Sequence, residues 1–265
     1  MKEVRLTCWE EFDAGVSAIP DNLQKKRSET GGYISSLLFR GHAQECWKLE
    51  TTLERYTQKE YSLKAYHRLM LTVKPYVESF TSKSWHVPKA TRIDEDFPGP
   101  PTGYEFMVYL RHHGFPSPLL DWSDSPSIAA FFTFSPCQED KEENTAIYAY
   151  LEYLGGSKSS SPAKGDVVGL GPSIKTHKRH HIQQSEYTIC KKKSDNEYIY
   201  YKHEEVFKND RENQDSLTKY LIPASKKPKV LARLDLMNIN AYSLFGDEDH
   251  LMGTLAYREI ERKNR

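Results

Sequence analysis

Leu37-Leu38-Phe39-Arg40-Gly41-His42 is the stretch around which the rest of the chain is organised. Its apolar run predicts a short buried strand over residues 34–39 that delivers an arginine and a glycine at its carboxyl end. A guanidinium is permanently charged and presents five donors in a fixed fork, suited to a phosphate or a carboxylate. Glycine lets backbone approach whatever that arginine holds. Taken alone, the hexapeptide fits two readings: the gripping edge of an anion site, or a structural ion pair beside a chain turn.

Upstream, Thr7-Cys8-Trp9-Glu10 has the capping-box pattern, and Trp9, Phe12, Val16 and Ile19 follow at helical spacing. Pro20-Asp21-Asn22 is expected to end that helix, and Gly31-Gly32 punctuates the approach to the strand. Downstream, Thr51-Thr52-Leu53-Glu54 is a second capping box. Leu63, Tyr66, Leu69, Met70, Val73, Val77 and Phe80 then predict a long amphipathic helix interrupted near Pro75. Residues 85–101 are proline-containing and read as a surface loop, and Thr102-Gly103-Tyr104-Glu105 opens a helix that closes at Gly114.

Ser125-Pro126 supplies an N-cap and a proline at the first helical position, and the apolar run to Phe134 predicts a buried helix. After a charged turn at 140–144, residues 145–153 alternate as a strand. A Ser- and Gly-rich flexible connection over 155–171 leads to a second expected strand, 180–190. Residues 191–213 are charged and carry no clear pattern. Tyr220 to Pro223 reads as a short strand, Val230 to Leu236 as a helix, and 247–265 as a polar helix with Leu251, Leu255 and Ile260 turned inward. Strands and helices mix without βαβ regularity or internal repeat, which predicts a single α+β domain.

Composition narrows the function classes. The 265 residues hold 37 basic and 37 acidic side chains, so no global field draws the chain to nucleic acid. Aromatic residues reach 12%, with 17 tyrosines, and these supply much of the expected burial. Cys8, Cys46, Cys137 and Cys190 form no C-x-x-C pair and no secretory segment is evident, so reduced thiols in a cytoplasmic protein are expected. Nothing approaches 18 consecutive apolar residues.

His112-His113 and His180-His181 are adjacent pairs without metal-ligand spacing, so no metal site is expected. His113, Asp121 and Ser123 lie close in sequence, yet no nucleophile elbow accompanies them, and neither a Walker loop nor a G-x-G-x-x-G run is present. Asp121 could pair with Arg40, and Ser123 or Ser125 could cap the following helix. On the expected 180–190 strand, Gln184 and Glu186 fall on one face, where an amide and a carboxylate could hold a sugar hydroxyl and steady a developing positive charge.

These residues together resemble a known family, the FRG domain. Phe39-Arg40-Gly41 matches its naming motif, and Trp47 to Arg55 is similar to its tryptophan-leucine follow-up. His112-His113-Gly114-Phe115-Pro116-Ser117-Pro118-Leu119-Leu120-Asp121-Trp122-Ser123 resembles its second block, Ile182-Gln183-Gln184 its third, and Ile222-Pro223 with Ile239 to Phe245 its ending. The resemblance spans residues 34–256, with 1–33 as a lead-in and 257–265 as a polar tail.

The order of elements in that family is similar to the ADP-ribosyltransferase fold, which implies a split β core with surrounding helices. It further implies transfer of ADP-ribose from NAD to a macromolecular acceptor, RNA, DNA or protein. It also suggests a toxin of a bacterial defence or toxin–antitoxin system, with a neutralising antitoxin protein. The alternative is a non-catalytic binding module on the same fold. Under the enzymatic reading Arg40 and Gly41 grip the NAD pyrophosphate, with Asp121, Trp122 and Ser123 alongside. Tyr187, Trp122 or Phe115 stacks on nicotinamide, Gln184 and Glu186 form the carboxylate motif, and His113 positions the substrate or acts as a base. The Ser-Thr-Ser signature of that fold is absent from the chain. Lys175, Lys178, Arg179 and Lys191 to Lys193 flank the expected Glu186 strand, either as a solvated surface or as a basic collar that steers nucleic acid or an acidic protein.

Overall fold

The longest ladder in the molecule joins Asn144–Tyr153 (β4) to Gln214–Pro223 (β8), and the sheet grows outward from it. The computed structural model describes residues 1–89, 99–137, 143–155, 158–209 and 214–263. On one side of the ladder, Lys2–Arg5 (β1) runs parallel to β8. On the other, Leu37–His42 (β2), Leu120–Ser123 (β3), Ser185–Ser194 (β6) and Asp166–Gly169 (β5) follow antiparallel, and Glu197–Tyr200 (β7) also pairs with β6. The result is a mixed α+β fold on one open eight-stranded sheet. β2 and β3 share a single register pair, Phe39 with Ser123, so the sheet is barely joined at its middle.

One face of the sheet is covered by Trp9–Ser17 (α1), Pro126–Phe134 (α6) and Lys227–Leu236 (α9), which bury Phe12, Phe131, Phe134, Val230 and Leu234 against Phe39, Ile147 and Ile222. Beyond the β2–β3 junction, Leu63–Thr81 (α4) and Tyr104–His112 (α5) pack Tyr66, Met70, Phe106 and Met107 on Tyr187 and Ile189. The opposite face holds Leu38, Leu120, Trp122, Tyr148 and Tyr150 under Leu49 and His203–Phe207 (α8). Period-two alternation therefore decides which of two unlike environments each strand residue enters.

Several expectations hold. Thr51 makes both halves of a capping box on Thr52–Tyr56 (α3), and Ser125 caps α6. Gly31, expected only to punctuate the approach to β2, ends an unexpected helix, Ile19–Thr30 (α2), in the left-handed region at φ 64°. Others need correction. Arg40 and Gly41 lie inside β2, because Arg40 and Gly41 still pair with Tyr148 and Ile147. Pro20 opens α2 rather than ending α1, since a missing N–H costs nothing in a first turn. Pro75 sits within a continuous α4. Thr7 bonds Glu11 and not Glu10, placing the start of α1 one residue later.

The 155–171 connection carries β5, and Lys158 is drawn inward to Glu152 and Asp215 at 3.1 and 2.6 Å. The expected strand at 180–190 begins instead with a helix, Lys178–Ile182 (α7), and becomes a strand at Ser185. In the tail, Glu248–Ala256 (α11) leaves Leu255 exposed, and Ile260 beyond it is exposed as well. The expected turn at 140–142 and most of the loop at 85–101 lie outside the described residues.

Candidate functional site

The site forms where the sheet is weakest. Past Phe39 and Ser123 the two central strands exchange no further register pair, and the Arg40 side chain spans the interval. Its Nη1 donates to the Asp121 carbonyl at 2.7 Å and stands 3.9 Å from the Asp121 carboxylate. The same carboxylate is bonded by Arg111 at the last turn of α5. Asp121 is thus shared by two guanidiniums. Burial lowers the Arg40 pKa to about 10, opposed by Asp121 and reinforced by Arg111, and the group stays charged at neutral pH.

A cavity of about 340 Å³ opens on this arrangement. β2 contributes Phe39, Arg40 and Gly41; β3 contributes Asp121, Trp122 and Ser123; α5 contributes Arg111 and His112. Phe132 comes from α6, Arg179 and Gln183 from α7 and the turn after it, Ser185 and Tyr187 from β6, and Phe245 from Ala241–Phe245 (α10). Arg179 lies across the Phe245 ring at 5.4 Å and donates to Asp247 at 2.7 Å. Two polar atoms here, Arg111 Nε and Asp121 Oδ1, are buried without a hydrogen-bond partner. Burying such atoms without a partner is costly.

Gly41 lines the cavity, but its small size serves packing. A Cβ there would stand 2.1 Å from both the Ala129 carbonyl and Thr133 Oγ1, so the glycine lets β2 lie directly on α6. Tyr187 also reaches the cavity, with its ring taken on one face by His180, stacked at 5.7 Å and 14°. Its hydroxyl bonds His112 Nε2 at 2.7 Å and His180 Nδ1 at 3.4 Å. The Trp122 ring lies on the other side of the sheet against Tyr150, with Nε1 donating to Thr188 at 2.9 Å. Ser123 donates to the Gln183 carbonyl at 2.8 Å and accepts from the Ser125 amide at 3.1 Å.

Four expected residues are placed elsewhere. Glu186 is not among the residues lining the cavity: it pairs in register with Trp122 and shares the Trp122 side of the sheet. There it is buried and hydrogen-bonded to Asp124, and its pKa is pushed up to about 7, first by burial and then by Asp124 and Glu152. Gln184 is exposed outside the strand at φ 47°, so it shares no strand face with Glu186; the amide that reaches the cavity is Gln183. His113 is exposed and rests on Tyr109 and His177, because its neighbour His112 takes the inward position at the helix end. Phe115 packs with the α4–α5 cluster.

The basic collar also divides. Arg179 is at the cavity, whereas Lys191 to Lys193 lie about 13–20 Å past Tyr187 along β6 at about 3.3 Å per residue, against Tyr198 and Tyr201.

Phe132, Phe245, Arg111 and His112 have no site role in the sequence reading, and Arg179 has one only as part of the basic collar. Arg111 and His112 had a signal, since both stand in the dense run ending at Ser123. The others gain meaning only when α6, α7 and α10 converge. A second cavity of about 280 Å³, near Tyr61 and Tyr200, mixes Glu50, Glu54 and Glu60 with Arg55, Lys59 and Lys202 and shows no comparable convergence of one charge. Among the described residues no group of three His, Cys, Asp or Glu side chains could hold a metal ion, and no helix is long and apolar enough to cross a membrane.

Fold and site define an α+β protein with an arginine-rich cleft at a divergence in its sheet. Residues 35–143 of the chain match the FRG domain model. No curated protein and no solved structure matches the chain. The matched stretch supplies Arg40, Arg111, Asp121, Ser123 and Phe132; Arg179, Gln183, Tyr187 and Phe245 lie beyond it.

Proposed function

We propose that this cleft takes the pyrophosphate of NAD and that the protein transfers ADP-ribose to a macromolecular acceptor. One observation carries the reading: a single carboxylate, Asp121, stands between the two guanidiniums of Arg40 and Arg111, leaving one positive charge uncancelled in an aromatic-walled cavity. Such a charge, presented through planar donors, suits a phosphate ester. Arg40 and Arg111 would hold the pyrophosphate, and Phe132 and Phe245 offer apolar walls to a flat ring. The Asp121 carboxylate, whose side chain is 31% exposed at the cavity, would accept from a ribose hydroxyl. NAD supplies the bond from ribose to nicotinamide that is broken in the transfer. With Glu186 turned to the other face, Asp121 is the carboxylate available to steady positive charge at the ribose carbon. The split β core of the ADP-ribosyltransferases and a role as a toxin held in check by an antitoxin protein belong to the same proposal.

The placement of Glu186 favours a second reading, a non-catalytic module that binds the nucleotide and performs no transfer. Labelled NAD incubated with the protein and a cell lysate separates the two. Transfer to a macromolecule that is lost in Arg40→Ala and Asp121→Asn supports the enzyme. Thermal stabilisation by NAD without labelling supports the module. Absence of both removes NAD from the cleft.

A further inference from the structure

His42 stands two residues past Arg40, on the same side of β2, and is buried at 4% exposure. Its Nε2 lies 3.1 Å from Arg40 Nε, and its Nδ1 lies 3.3 Å from the Trp47 carbonyl. A guanidinium has donors only, so the lone pair in the first contact must belong to His42 Nε2. A carbonyl only accepts, so the ring proton must sit on Nδ1. The two contacts together admit one state, a neutral imidazole protonated at Nδ1. Burial first and the Arg40 charge second pull the His42 pKa down to about 3, in agreement with that state.

We propose that His42 is the positioning residue of the anion site, a neutral acceptor that orients the Arg40 guanidinium without cancelling its charge. Held at Nε by His42 and at Nη1 by the Asp121 carbonyl, the guanidinium plane is fixed, and Nη2 has no partner among the described residues. A carboxylate in place of the imidazole would fix the plane equally well but would neutralise the charge that an anion needs. The Trp47 carbonyl extends the device, since it selects the tautomer. Tyr148, edge-on to the His42 ring at 5.1 Å, closes the remaining space. This inference rests on the reading of the cleft as a pyrophosphate site.

The test uses the full chain. Nitrogen-15 NMR of the histidines should find His42 neutral and protonated at Nδ1 at pH 7. Calorimetric binding of inorganic pyrophosphate and of NAD should weaken about tenfold in His42→Ala, the loss expected for one misplaced charge-assisted hydrogen bond. His42→Gln, whose side-chain oxygen can accept from Arg40, should recover most of that loss, while His42→Glu should not. Pyrophosphate binding by His42→Ala equal to wild type, or a wild-type His42 protonated at Nε2, overturns the proposal. Wild-type protein that binds neither probe removes the nucleotide reading. The orientation is then judged by the Arg40 Nε–H resonance, which must lose its protection in His42→Ala, since retained protection overturns it too.

Discussion

Trp122 on β3 and Glu186 on β6 are paired across the sheet, and that pairing sends Glu186 to the face opposite the Asp121 carboxylate. The consequence is a division of labour between two acidic groups. Asp121 meets Arg40 and Arg111 at the cavity; the buried Glu186 meets the exposed Asp124 beyond it.

Glu186 should therefore govern stability more than binding. Its folded pKa of about 7 exceeds the ordinary value of 4.5, so the folded protein holds a proton that the unfolded chain has released between those limits. Stability falls as pH rises from about 4.5 to about 7, and the full penalty is present above it. Glu186→Gln should flatten this part of the urea-unfolding profile and stabilise the protein by about 1–2 kcal/mol at pH 8. NAD affinity should be unchanged by it; a large loss of affinity would return Glu186 to the site.

Asp121→Asn separates stability from anion affinity. Two guanidiniums lose their shared counter-charge, and the cost should be on the order of 2 kcal/mol, below the value for a fully buried pair because the carboxylate is partly exposed. Inorganic pyrophosphate, which needs only the positive charge, should bind the variant more tightly. Weaker pyrophosphate binding in a folded Asp121→Asn protein would contradict the electrostatic account of the cleft.

Gly41→Ala tests the packing of β2 on α6. The added methyl meets the Ala129 carbonyl and Thr133, so strand and helix must part. Destabilisation of about 3 kcal/mol or more is expected by chemical denaturation. A neutral outcome would mean that Gly41 is small for some reason other than this contact.

The four thiols should fall into two classes. Cys46 is exposed and Cys8 partly so, whereas Cys137 and Cys190 are buried, and burial drives the Cys190 thiol well above its ordinary pKa. A thiol reagent at neutral pH should modify Cys46 quickly and leave Cys137 and Cys190 untouched until denaturant is added.

Local signals in the chain were dependable where the physics is local. Thr51 with Glu54 and Ser125 with Pro126 satisfy helix-end amides within a few residues, so their caps could be read directly. The pairing of Arg40 with Asp121 was also foreseeable, as a cation and an anion each following an apolar run. Boundaries were less secure. One left-handed residue, Gln184, ends the regular alternation ahead of β6, and no composition signal announces it.

The α+β class, the FRG motifs and the candidacy of Arg40, Asp121, Ser123 and Tyr187 were legible along the chain, because caps, apolar periodicity and motif spacing are properties of neighbouring residues; that these four meet at one cleft was not. Tertiary structure alone decided that Glu186 and the Trp122 ring turn to the other face, that His112 and not His113 reaches the cavity, and that Arg111, Arg179, Phe132 and Phe245 complete it. The reason is physical. A strand sends neighbouring side chains to opposite faces, so a register set by distant partners fixes which one a cavity receives.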